Sequence, residues 1–245
     1  MPIGSSRAGS QTQILYESPD LELFAKATNW KAYWSDKLRP YIEGRVIEVG
    51  AGIGTSTEHM CCEGHPDWLC LDPDPANVVS LRQRIEDGRL PQFCRAEGGV
   101  LADQPEDNLA DSVLYIDVLE HIEDDQGEIG VAASHLKRGG HLVVLSPAFN
   151  DLYSPFDKAV GHYRRYEKSD VARLTVPGLA VRRVFYLDSA GFLLSLMNRM
   201  FLKASMPTTG QIRFWDKIII PISVYSDKVL GGTLGRTIVM IWQKT

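Results

Sequence analysis

The sequence predicts a doubly wound α/β fold, on three observations. Apolar runs alternate with helical stretches along most of the 245 residues. The run at 141–145 is apolar almost throughout, as a strand covered on both faces must be. The run at 45–49, R-V-I-E-V, opens directly into a glycine-rich turn, G-A-G-I-G, at 50–54. Strands and helices alternating at this spacing imply parallel pairing through right-handed crossovers.

The elements follow in order. Residues 1–19 read as a disordered tail, and 20–245 as one domain. Residues 20–44 hold an amphipathic helix with Asn29, Trp30 and Tyr33 on it. Strand one is 45–49, and a helix runs from Thr55 to about Glu63. Strand two is 68–71, stopped by Asp72-Pro73. Pro75 suits the first turn of the next helix, which carries Val78, Val79, Leu81 and Ile85 on one side and ends near Gly88. Strands three and four are 93–96 and 112–116. The helix after strand four has an acidic start, Glu123-Asp124-Asp125, and a basic end, Lys137-Arg138, as the helix dipole prefers. Strand five is 141–145. Strands 181–187 and 237–242 complete a seven-stranded, mostly parallel sheet.

Between the last two strands lies an apolar insertion, residues 190–235. A hairpin needs only a short connection, so this is an added element. Phe192, Leu193, Leu196, Met197 and Met200 recur at helical spacing, which first suggests a buried face. A dimer interface, an apolar substrate pocket or a membrane contact are sharper readings of the same residues. Pro207 and Pro221 argue against one continuous helix.

Composition sets outer limits. Hydrophobic residues at 44% and charged residues at 23% are ordinary for a globular protein. A net charge of −5 argues against a general nucleic-acid binder. The charge is uneven, however: residues 158–213 hold ten basic and three acidic residues, so that segment carries +7 and the rest −12. Cys61, Cys62, Cys70 and Cys94 form no C-x-x-C pair, so zinc spacing is absent and no metal site is expected. With apolar flanks they read as reduced, buried thiols, which suits a reducing compartment. The N-terminal segment has no apolar core of a secretion signal and no window is apolar enough to span a bilayer, so the expected location is the cytoplasm.

The chemistry begins at residues 46–55, V-I-E-V-G-A-G-I-G-T. Glycines at the end of a central strand let the backbone approach a ligand closely, and the N–H groups of the next helix face whatever sits there. Asp72, twenty residues beyond Gly52, stands at the end of strand two, where an acid accepts hydrogen bonds from the hydroxyls of an adenosine ribose. A dinucleotide site wants its third glycine at position 55, but Thr55 stands there and the glycine comes one residue early. Glu48, just before the turn, would repel a pyrophosphate and suit a cationic amine.

E-x-G-x-G-x-G at 48–54 resembles the first motif of class I S-adenosylmethionine-dependent methyltransferases. The blocks V-L-Y-I-D-V-L-E-H-I-E-D-D-Q-G-E at 113–128 and L-K-R-G-G-H-L-V-V-L-S-P at 136–147 resemble the fourth- and fifth-strand motifs of that superfamily. F-D-K-A-V-G-H-Y-R-R-Y at 156–166 resembles a subgroup of it. The resemblance implies a Rossmann-like fold with a helical lid, S-adenosylmethionine as cofactor and S-adenosylhomocysteine as product. It implies that Glu48, Gly50 and Gly52 line the methionine-amine end, that Asp72 holds the ribose and that Pro73 flanks the adenine. The turn Glu97-Gly98-Gly99 would border the adenine edge. Asp117 and Val118 would close over the methionyl part, and Asn29 and Trp30 would belong to the lid.

Several other groups invite roles. His121 follows Glu120 directly but also reads as a local capping residue. The block Gly161-His162-Tyr163-Arg164-Arg165-Tyr166 lies beyond strand five, on the side where open α/β sheets bind ligands. His162 suits proton removal from an attacking hydroxyl or amine. Tyr163, Arg164, Arg165 and Tyr166 suit the acceptor, guanidinium being a bidentate partner for anions. Alternatively, an arginine pairs with Asp157 and stiffens the loop. The expected activity is transfer of a methyl group to O or N of a small-molecule, glycan-type or lipid-linked acceptor, with no nucleic acid as partner. Peripheral membrane contact and a homodimer through 190–235 are compatible with it. An NAD-dependent oxidoreductase and a non-catalytic scaffold are the rival expectations.

Overall fold

The computed structural model describes residues 19–201 and 207–245. The tail expected at 1–19 therefore lies, but for Pro19, outside the described residues. The chain opens with α1 (Pro19–Phe24) and α2 (Thr28–Leu38). Then follow β1 (Val46–Val49), α3 (Thr57–Met60), β2 (Trp68–Asp72), α4 (Pro75–Glu86), β3 (Cys94–Gly98) and β4 (Ala110–Ile116). Next are α5 (Asp125–Ser134), β5 (Leu136–Pro147), α6 (Pro155–Ala159), α7 (Val171–Leu174) and β6 (Leu179–Leu187). The chain closes through α8 (Ser189–Phe201), α9 (Thr209–Phe214), a π-turn (Trp215–Ile219), α10 (Ile220–Leu230) and β7 (Thr237–Lys244).

The seven strands form one sheet in the order β3-β2-β1-β4-β5-β7-β6. All pairs are parallel except those of β7, which runs antiparallel between β5 and β6. The order reverses between β1 and β4, and both carboxyl ends open there on one edge, where a doubly wound sheet binds ligands. β1 and β2 are buried at every position, which explains why they are apolar except for the buried acids Glu48 and Asp72. Apolar side chains on each face pack against helices, making two cores.

Several local expectations need correction. Val79 is 65% exposed, while Val78 and Leu81 are buried; at 3.6 residues per turn, 78, 81 and 85 share a face that 79 does not. Lys137 and Arg138 do not end a helix: α5 stops at Ser134, and both lie at the start of β5, where Lys137 pairs with Asp111. The helix after the glycine turn is a single turn, Thr57–Met60.

The insertion differs most from expectation. Leu193 (57%) and Met197 (59%) are exposed, and Leu196 is also open; Met200 has no described side-chain placement. Pro221 does not break the segment, because residues 209–230 form one helical path with the π-turn immediately before Pro221. Proline lacks an N–H and crowds the carbonyl one turn back; the wider π-turn accommodates it. Three buried aspartates tie the insertion to the end of β6 and to α2. Asp188, at the end of β6, accepts from Trp215 Nε1, Ser223 Oγ and Gly191 N. Asp227 accepts from Asp188 N, Ser189 N and Tyr33 Oη. Asp216 accepts from the N–H groups of Asn29 and Trp30. No described helix is long and apolar enough to cross a membrane.

Candidate active site

At the carboxyl edge of the sheet lies a cavity of about 1820 Å³. A small ligand commonly occupies roughly 300–1,000 Å³, so this one has room for a cofactor and a second molecule. Its floor is the turn after β1 and the ends of β2, β4 and β5. Trp30 and Lys31 from α2 form one wall; Met197, Phe214 and Trp215 from the insertion form another.

The glycine turn shows why its residues are small. Gly50 has φ +66°, and a Cβ on it would lie 2.6 Å from Val118 Cγ2, so the turns after β1 and β4 could not approach each other with a larger residue. Asp72 is 4% exposed. Its carboxylate accepts from Gly52 N at 2.7 Å, Asp74 N at 2.9 Å and Asn77 Nδ2 at 3.0 Å. A carboxylate has about four acceptor sites, so one is open to a ligand hydroxyl, and a second hydroxyl would displace Asn77. Burial raises the Asp72 carboxyl against the lowering effect of these three donors.

Asp117, with φ +55°, follows β4. A non-glycine residue in this region marks backbone held by its surroundings. Its side chain opens onto the cavity but is otherwise enclosed by protein, and burial raises its carboxyl while Lys31 and His162 oppose the rise. Lys31 is buried at the same cavity; burial lowers its ammonium, and Asp117, Asp216 and Glu48 pull the other way. A cation and a carboxylate at one end of the cavity match the carboxylate and ammonium of an amino acid.

The opposite group comes from the turn after β4 and the loop after β5. Glu120 is fully buried; Oε2 accepts from Ser146 Oγ at 2.9 Å, whereas Oε1 has no partner. Its Oε1 lies 4.0 Å from His162 Nε2. His162 Nδ1 is 2.9 Å from Asp157 Oδ1, and Arg165 grips the same carboxylate through Nε and Nη2 at 2.8 and 2.9 Å. Burial would raise the Asp157 carboxyl, but His162, Arg165 and Ser154 hold it below the usual range. The His121 ring stands edge-on to His162, centroids 4.5 Å apart. Burial, with His162 beside it, pushes His121 down to about 4, so its imidazole is neutral.

The sequence-predicted residues divide accordingly. Trp30, Gly50, Gly52, Asp72, Pro73, Asp117, Val118, His162 and Arg165 line the cavity. Glu48 does not: it lies behind the glycine turn, its carboxylate accepting from Thr57 Oγ1 and Trp68 Nε1, and burial pushes it up to about 7. Asn29 turns its amide to Asp216 O, and Glu97 pairs with Arg95 on the surface. Gly98 is also off the cavity; of that turn only Gly99 lines it. In the G-H-Y-R-R-Y block, two carboxylates separate the side chains: Asp157 holds His162 and Arg165 at the cavity, and Asp125 draws Arg164 and Tyr166 away. Tyr166 is buried and donates to Leu119 O and Asp125, Arg164 pairs with Asp125, and Tyr163 is exposed. These three hold the loop in place and do not reach the cavity. Lys31, Glu120 and Arg236 are cavity residues that sequence reasoning missed. Lys31 adjoins Trp30, and its helical position beside the lid residues was the available signal.

Residues 47–142 match a methyltransferase domain family. Over most of its length the fold superposes on known methyltransferases. A geranyl diphosphate C-methyltransferase from Streptomyces coelicolor has a TM-score of 0.64 at 13% identity, covering 92% of this chain and 83% of that one. A sarcosine dimethylglycine methyltransferase from Galdieria sulphuraria has a TM-score of 0.59 at 15% identity, covering 89% and 85%. The methyltransferase domain match over 47–142 and the shared fold support the class I S-adenosylmethionine-dependent methyltransferase superfamily for this chain. The chain is 32% identical over 102 residues to a ubiquinone biosynthesis O-methyltransferase of Marinobacter nauticus. That match covers 41% of this chain and 42% of the relative. The corresponding enzyme of Pectobacterium atrosepticum is 29% identical over 111 residues, 45% of each. The chain thus aligns with less than half the length of these curated relatives.

Proposed function

We propose that this protein is an S-adenosylmethionine-dependent O-methyltransferase acting on an apolar, lipid-linked acceptor. The observation that carries the first part is a single cavity that joins Asp72 and the glycine turn to the Glu120–His121–His162 group. The residues present fit the cofactor: a carboxylate with an open acceptor site for ribose, and Lys31 with Asp117 for an amino-acid end. When bound there, the cofactor supplies an electrophilic methyl group on a sulfonium.

The chain's own residues do the rest. Val118 and Trp30 close the cavity over the methionyl end. His162, oriented by Asp157, presents Nε2 toward the acceptor region and suits uptake of the hydroxyl proton. Trp215 and Phe214 exclude water from the acceptor side, where positioning supplies much of the rate. Residues 20–245 act as one domain, with 20–44 as the lid.

The acceptor's class is read from the insertion. Phe214, Ile218, Ile222, Tyr225 and Val229 are all exposed and recur every three to four residues along the helical path 209–230. The exposed charges on that path, Arg213, Lys217 and Lys228, are all basic, because Asp216 and Asp227 point inward. An apolar stripe flanked by cations is the pattern of a helix lying on an anionic membrane. Phe214 joins this stripe to the cavity wall.

Calorimetry with S-adenosylmethionine, S-adenosylhomocysteine and NAD tests the cofactor reading. The expected result is binding of the first two and none of NAD. NAD binding alone would establish the oxidoreductase alternative, and binding of none would establish the scaffold. Thr55, where a dinucleotide turn needs glycine, supports the first outcome.

A further inference from the structure

We propose that Glu120, His121 and His162 form a binding site for one divalent transition-metal cation at the acceptor end of the cavity. One ligand atom from each of the three lies within 4.8 Å of the others, and all three residues line the cavity.

Two independent features point to a cation. The first is Glu120 Oε1, an acceptor oxygen in a fully buried side chain with no hydrogen-bond partner. Buried polar atoms are paired in the great majority of cases, and an unpaired one costs stability. The second is the geometry of His162. The Asp157 carboxylate engages Nδ1 at 2.9 Å, which leaves Nε2 as the ring nitrogen turned toward the cavity. Nε2 faces Glu120 Oε1 at 4.0 Å. This is too long for a hydrogen bond. A cation between them, at about 2.0–2.2 Å from each ligand, would span that gap. A carboxylate behind a metal-binding histidine is the usual way of fixing its orientation, and Asp157, itself clamped by Arg165, stands in that place.

The donor set indicates the class of metal. Two imidazole nitrogens and one carboxylate oxygen suit Zn²⁺, Fe²⁺, Co²⁺ or Mn²⁺, whereas Mg²⁺ and Ca²⁺ prefer all-oxygen shells. Three protein ligands leave positions open, and those positions face the cavity. An acceptor hydroxyl could bind there and become more acidic. A cation would also occupy His162 Nε2, so the imidazole could not act as the base while the metal is bound. The site stands on its own geometry; only its role toward an acceptor rests on the methyltransferase reading.

The test is a titration of the untagged, chelator-stripped full chain with Co²⁺, followed by visible ligand-field absorption. One Co²⁺ per chain is expected, displaced by Zn²⁺. His121→Ala and, separately, Glu120→Gln should each weaken Co²⁺ binding at least about tenfold. S-adenosylhomocysteine affinity, measured on the same samples, should stay within about twofold and reports that each variant is folded. Absence of saturable binding of Co²⁺ or Zn²⁺ overturns the proposal, as does binding unaffected by His121→Ala and by His162→Ala. If a variant loses S-adenosylhomocysteine binding, His121→Asn replaces it. S-adenosylhomocysteine binding without metal binding sinks the metal site alone; metal binding without it sinks the methyltransferase reading alone.

Discussion

Asp72 and Glu48 flank the same glycine turn from neighbouring strands, yet burial uses them differently. Asp72 spends its carboxylate on the turn and on the cavity. Asp72→Asn removes a charged acceptor, whose hydrogen bonds are worth about 1.5–3 kcal/mol. S-adenosylhomocysteine should therefore bind roughly 10- to 100-fold more weakly by calorimetry. Glu48 faces no ligand and pays only desolvation, which carries its carboxyl from 4.5 up to about 7. A raised carboxyl pKa favours the folded state at low pH, and that advantage is lost as pH climbs from about 4.5 through about 7. Glu48→Gln keeps an acceptor for Thr57 and Trp68 without the charge. Its stability relative to wild type should rise across that window and level off above it at about 3 kcal/mol, with the melting temperature rising in step. A constant difference between pH 5 and pH 8 would refute ionisation of Glu48 as the cause. Both residues were legible in the sequence as acids beside the turn. Their division of labour was not, because it depends on which way each side chain points from its strand.

The insertion controls the lid at the scale of elements. Helix α2 starts after Ala27, which offers no side-chain cap, so its first N–H groups need partners from elsewhere. Asp216 provides them, accepting from Asn29 N at 3.3 Å and Trp30 N at 2.9 Å from the π-turn. Asp216→Ala should cost about 1–2 kcal/mol, as loss of an N-cap does. Hydrogen exchange should speed up selectively over 28–38, and S-adenosylhomocysteine affinity should fall with it, since Trp30 and Lys31 line the cavity. Exchange that speeds up everywhere except there would show that Asp216 does not anchor the lid. This contact joins residues nearly two hundred positions apart, so no local pattern announces it. The strands were legible for the opposite reason: burial on both faces writes itself into four or five consecutive residues. Pro221 misled because a proline rule for α-helices does not anticipate a preceding π-turn.

On the scale of the whole molecule, the parallel sheet follows from the alternation of strands and helices, and its reversal between β1 and β4 fixes where the cavity opens. The G-H-Y-R-R-Y block lies at that edge, but only His162 and Arg165 face the cavity, because Asp157 draws both toward it while Asp125 takes Arg164 and Tyr166. The +7 segment at 158–213 has a related resolution. Arg164, Arg165 and Arg173 are consumed by Asp125 and Asp157, whereas Arg213 remains outward beside the apolar stripe, joined there by Lys217 and Lys228 from beyond the segment. At about 1 kcal/mol per basic residue near an anionic surface, those three alone give weak, salt-sensitive attraction, and insertion of Phe214, Ile218 and Ile222 would add a salt-resistant part. The protein should therefore cosediment with phosphatidylglycerol-containing vesicles, less with phosphatidylcholine alone, and retain part of its binding at high salt. Ile218→Asp with Ile222→Asp should reduce vesicle binding at least about tenfold, while S-adenosylhomocysteine binding persists because neither residue lines the cavity. If vesicles are ignored and the same double substitution instead converts a dimer to a monomer by light scattering, the stripe faces a second copy of the chain and the membrane reading fails.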